Sequence, residues 1–83
     1  MPYITPNARV DLWNGDPAIN PGQLNFQIAE MCNAYIDREG RSYETFNAVI
    51  GVLECQKLEL YRRLVAPYED KKLEANTDVY STP

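Results

Sequence analysis

Between Tyr61 and Lys72 the chain reads YRRLVAPYEDKK, and with Lys57 one turn earlier this stretch gathers residue types suited to holding an anion. Arg62 and Arg63 carry planar guanidinium forks that match phosphate oxygens in pairs. Lys57 is a compact cation, and the rings of Tyr61 and Tyr68 are faces on which a nucleobase can stack. These five residues therefore point to binding of an anionic nucleotide, with phosphate on Lys57, Arg62 and Arg63 and the base on Tyr61 or Tyr68. The same charges have a plainer account. Glu59 stands one helical turn before both arginines, so ordinary ion pairs on a solvated helix face, worth about 0.3–0.5 kcal/mol each, explain them equally well. Lys57 lies on an apolar stripe, so its ammonium must meet a carboxylate such as Glu54, water or a ligand.

Catalysis has few candidates. The chain contains no histidine, which removes the commonest general acid and base and the usual partner of a serine or cysteine nucleophile. Zinc sites built from cysteine and histidine are excluded for the same reason, and Cys32 and Cys55 are too few for a tetrahedral thiolate site. They are expected as small buried core residues in a reducing compartment, where a disulfide does not persist. No Gly-rich phosphate loop, calcium loop or paired-acid magnesium motif occurs. The expectation is a protein that is not an enzyme and carries no cofactor and no metal.

Composition narrows the partners. With 45% apolar and 24% charged residues, and no apolar run of the roughly 18–20 residues a bilayer span needs, the sequence predicts a chain with no membrane contact. The opening MPYITPNARV lacks the basic start, apolar core and small-residue cleavage site of a secretory signal, which predicts a cytoplasmic location. A net charge of −4 opposes DNA binding. The charge is unevenly placed: residues 1–54 hold seven acids and three bases, whereas residues 55–83 hold five of each.

The elements that must position these residues are helices. Asn20, Pro21 and Gln23 supply an N-cap, a first-turn proline and a capping-box partner, so a helix is predicted over 21–39. Leu24, Ile28, Met31 and Tyr35 form its apolar stripe, and Gly40 stops it. Ser42 caps a second helix over 43–65. Along it Tyr43, Phe46, Ile50, Leu53, Leu60 and Leu64 follow a heptad-like stripe interrupted by Lys57, and Gly51 with Cys55 leaves room for a close helix crossing. Pro67 predicts a kink or a restart into a helix over 67–76. Residues 1–20, with three prolines and the turn signal Asn14-Gly15-Asp16-Pro17, read as an irregular arm, and residues 77–83 as a tail.

Several words of the sequence carry a resemblance: MPYI at Met1 to Ile4, PGQLN at Pro21 to Asn25, NAVIGVLECQKLE at Asn47 to Glu59, and YRRLVAPYEDKK at Tyr61 to Lys72. The chain resembles a family of short, uncharacterised proteins of tailed phages and prophages. It departs from that pattern at Asn76 to Tyr80, which read NTDVY where NGDVY is the family form, and a glycine-dependent turn there is in question. The resemblance implies a phage setting and brings no catalytic residue with it. Small helical oligomers of phages that sequester nucleotide immune signals are an analogy at the level of size, helix content and origin.

The expected fold is all-α: a single domain with an antiparallel hairpin of 21–39 and 43–65, a kinked or restarted C-terminal helix, and an extended N-terminal arm. At this size, self-association into a homo-oligomer is the natural remedy for a small core. The leading functional expectation is a non-enzymatic anti-defence protein, a sponge for an anionic nucleotide signal. The alternatives are an inhibitor or adaptor whose arm, with Trp13, docks on a host protein, and a structural or assembly component of the virion.

Overall fold

The computed structural model describes residues 2–80. The described chain is helical, with no strand: α1 spans Pro6–Trp13, α2 Pro21–Glu39, α3 Tyr43–Leu60 and α4 Ala66–Asn76. A π-helical segment, Tyr61–Val65, joins α3 to α4 without a break. Met1, at the start of the expected arm, and residues 81–83 of the expected tail lie outside the described residues. The chain divides into two compact units, one ending at Val49 and the other beginning at Ile50.

The first unit corrects the expected arm over 1–20, because its central part is α1. Thr5 Oγ1 accepts from the Ala8 amide at 3.3 Å, and Pro6 occupies the first turn, where its missing N–H costs nothing. The Asn-Gly-Asp-Pro signal is the stop of that helix rather than a free turn. The Gly15 amide donates to the Leu12 carbonyl and the Asp16 amide to the Asp11 carbonyl, each at 3.0 Å, while Gly15 adopts φ 98°. This is the double bond of a glycine C-terminal cap, and it needs the positive φ that glycine takes without strain.

α2 begins as expected. Asn20 Oδ1 accepts from the Gln23 amide at 2.9 Å, while Gln23 Oε1 reaches past the cap and accepts from the Ile19 amide at 3.1 Å. The helix closes at Gly40, which has φ 110°. Arg41 then folds back to donate to Asp37 at 2.9 Å and Asn33 at 3.3 Å. Within this unit the helix lying against α2 is α1 rather than the first turns of α3. The side chain that α1 covers is Phe26, 7% exposed and the one buried apolar residue among those described, whereas Leu24, Ile28, Met31 and Tyr35 of the expected stripe stay exposed. Ser42 caps α3 as anticipated, accepting from the Thr45 amide at 3.2 Å.

In the second unit the proline works as expected but without a restart. Pro67 lacks an N–H and its ring crowds the carbonyl four residues back, at Arg63. The widened segment absorbs both faults: the Ala66 amide donates to the carbonyl of Tyr61, five residues earlier, and Pro67 falls in the first turn of α4. No described residue of this unit is buried. Cys55 is exposed and Cys32 half-buried, so neither is the core residue its type suggests, and a Cβ built on Gly51 meets nothing within 4 Å. The close crossing that Gly51 and Cys55 would permit is not formed among the described residues of this unit.

α4 ends at Thr77, whose φ of 67° and ψ of 156° make it the one non-glycine residue with positive φ among those described. The resemblance noted above implies glycine at this position. A β-branched residue there stores strain of the order of 1–3 kcal/mol. Thr77→Gly is therefore expected to raise the thermal midpoint and to strengthen amide protection in the last turn of α4. A lower midpoint would show that Thr77 is not strained.

Candidate functional site

Two places gather chemistry, one in each unit. In the first, α1 brings Leu12 and Trp13 and α2 brings Phe26, Gln27, Glu30 and Met31 around an open cleft of about 310 Å³. The caps of α1 hold its side of the cleft in place. Thr5 fixes the start of the helix and Gly15 its end, so Arg9 and Trp13, one turn apart, face α2 together. The Trp13 and Phe26 rings lie 6.1 Å apart, tilted by 55°. The Arg9 guanidinium sits 5.5 Å from the centre of the Phe26 ring, and its Nε donates to the Ile4 carbonyl at 3.1 Å. Phe26 is thus held by an aromatic contact and a cation–π contact, each worth of the order of 1 kcal/mol. Trp13 stays 60% exposed and Met31 74% exposed, leaving an apolar wall open to solvent beside the Glu30 carboxylate.

The second place holds the five residues first singled out. Lys57 Nζ lies 3.0 Å from Glu54 Oε1, the carboxylate that its position on the apolar stripe demanded. Arg62 donates to both oxygens of Glu59, at 3.0 and 3.1 Å, and Arg63 reaches the same carboxylate at 3.7 Å. All of these side chains are largely exposed, so the pairs are surface pairs of small energy. The Lys72 ammonium lies 5.7 Å from the centre of the Tyr68 ring and covers one of its faces. The structure therefore brings the five onto one helical run, with each cation against a carboxylate of that run. Two guanidinium groups share the single charge of Glu59, which leaves one positive charge in excess there.

Arg9, Phe26, Gln27 and Glu30 were not singled out by sequence reasoning. The signal for them was available: Thr5-Pro6 repeats the cap-then-proline order of Asn20-Pro21, and a helix begun at Pro6 places Arg9 and Trp13 on one side. Among the described residues no group of three cysteine, aspartate or glutamate side chains is arranged to hold a metal ion. No helix of the described residues is long and apolar enough to cross a membrane.

The Tyr61 hydroxyl donates to Glu69 Oε1 at 3.1 Å, a bond that spans the π segment and Pro67. This bond, then the negative charge of Glu69, holds the phenol above its ordinary value, because ionisation would remove the donor and set two anions together. A phenol whose pKa is raised in the folded state contributes stability below the unfolded value of about 10, and that contribution is lost as pH rises through the folded value. Following the Tyr61 ring carbon by NMR, titration is expected above pH 10, and Glu69→Gln is expected to lower that midpoint. An unchanged midpoint would show that the bond does not persist in solution.

No curated protein and no solved structure matches the chain. A family model described as Domain of unknown function (DUF6899) matches residues 1–79, nearly the whole sequence and both units. The chain belongs to the DUF6899 family.

Proposed function

We propose that the chain is a phage-encoded, non-enzymatic binding protein of the cytoplasm that acts as a homo-oligomer and engages a host protein through the cleft between α1 and α2. The observation that carries this is the exposed Trp13 face beside Met31, held in place by Phe26 and Arg9. Tryptophan and methionine are typical anchors of protein contacts, and a clustered, solvent-open apolar wall is a costly feature unless a partner covers it. Glu30 at the rim and the acidic balance of residues 1–54 select a partner segment with an apolar anchor flanked by lysine or arginine.

The test uses the full chain as bait in host lysate, with three variants beside it. A host protein held at fixed stoichiometry by the wild-type chain is expected to be lost with Trp13→Ala and with Met31→Glu, and to be kept with Arg62→Glu/Arg63→Glu. Met31 is exposed, so its replacement leaves the packing of Phe26 intact. Retention by both cleft variants would overturn the assignment.

A nucleotide-sponge role has its own support in the second unit, where Arg62 and Arg63 share Glu59 and one positive charge remains for a phosphate. Native mass spectrometry with cyclic oligonucleotides would show one nucleotide per closed oligomer on this reading, abolished by Arg62→Glu/Arg63→Glu. Binding that survives the double reversal would remove these arginines from any such site.

A further inference from the structure

We infer that the partner segment seated in the cleft of α1 and α2 carries an aspartate or glutamate that pairs with Arg9, in a fixed order with the apolar anchor and the base that meets Glu30. The inference rests on the protein-binding reading above and adds to it the residue that recognises an acid and the direction in which the segment lies. Arg38, Arg41, Arg62 and Arg63 each stand against a carboxylate, whereas among the described residues none pairs with Arg9. The sequence supplies the reason. Three and four residues to either side of Arg9 stand Pro6, Thr5, Leu12 and Trp13, so no acid shares its face of α1.

The groups that hold Arg9 are neutral. Its Nε donates to the Ile4 carbonyl at 3.1 Å, and its guanidinium lies 5.5 Å from the centre of the Phe26 ring. Neither contact cancels the charge. The Ile4 bond uses Nε, and the two Nη groups donate to nothing among the described residues. No buried side-chain nitrogen or oxygen is left without a partner there, so both Nη groups open to solvent although Arg9 is half-buried. A guanidinium with its stem fixed and its fork free takes a carboxylate through two parallel bonds, and little further ordering is needed to form them.

Glu30 is the counterpart on α2. Phe26, Gln27, Asn33 and Ala34 stand one turn from it, so it lacks the local base that Glu54 and Glu59 have, and no cation pairs with it among the described residues. Phe26 connects the two charges: its ring bears Arg9, and it lines the cleft one turn before Glu30. An apolar anchor against Trp13 and Met31 therefore has an unpaired cation of α1 and an unpaired anion of α2 around it. A segment with one acid and one base meets both charges in one direction and sets like charges together in the other.

A displayed library of random peptides, selected on the full chain, tests this with no host protein identified. Peptides enriched by the wild type are expected to share an acid, an apolar or aromatic anchor and a base in one order. In a synthetic peptide of that consensus, replacing the acid by glutamine is expected to weaken binding to the wild type about tenfold or more. The same replacement is expected to change little on Arg9→Gln, a loss of coupling that a purely structural role of Arg9 does not produce. Arg9→Lys keeps the charge without the fork and is expected to recover part of the discrimination. Unchanged Trp13 fluorescence shows that α1 is still packed on α2 in both variants. Binding with no preference for an acid, or an acid that matters equally to Arg9→Gln, overturns this inference and leaves the cleft reading standing. No enriched peptide, or enriched peptides that bind Trp13→Ala as well as the wild type, overturns the cleft reading and this inference with it.

Discussion

A helix in water persists by the apolar face it buries, and among the described residues of this chain one apolar side chain, Phe26, is buried. In the first unit α1 and α2 meet around that ring. Thr5 and Gly15 bound a helix of eight residues, too short to stand alone, and Trp13 and Arg9 fasten it to α2 through Phe26. In the second unit no described residue has an equivalent place, although isoleucine, leucine and valine recur along it. The central constraint is therefore burial: the described residues carry strong helix signals and almost no core.

That constraint orders the functional account. In the second unit Glu54 meets Lys57, and Glu59 meets both arginines with one positive charge left over. Surface pairs of this kind are weak, so a stronger anion can displace them at small cost. Among the described residues the uncovered side chains are apolar ones, along α3 and in the Trp13 cleft. Binding through apolar helical surfaces accordingly ranks above nucleotide capture, reversing the order that residue types alone suggested.

The helices and their ends were legible from the sequence because caps and stops are local chemistry. Asn20-Pro21, Gly40, Ser42 and Pro67 each act within about one turn, and the bounds of α2, the start of α3 and the span of α4 follow them, whereas α3 gives way to the π segment at Tyr61, short of the expected 65. α1 was missed because three prolines and an Asn-Gly-Asp-Pro turn signal were weighed as helix breakers, when Pro6 opens a helix and Gly15 closes one. The pairing of Glu54 and Glu59 with their cations was also legible, being fixed by spacing on a helix. Which apolar residues are buried was not. Phe26 lies off the stripe of Leu24, Ile28, Met31 and Tyr35, and its burial depends on α1, a tertiary fact that periodicity within α2 does not contain. The cysteines misled for a related reason: residue type predicts burial only when a core exists to receive it.

The most direct test of the central claim is amide hydrogen exchange across residues 50–60 of the full chain, measured over a wide range of protein concentration. A helix with no buried face of its own predicts weak protection along this stretch at low concentration, while the amides around Phe26 keep theirs. Protection across 50–60 that is strong and independent of concentration would contradict the account, because it would mean that the helix is held by something within its own chain.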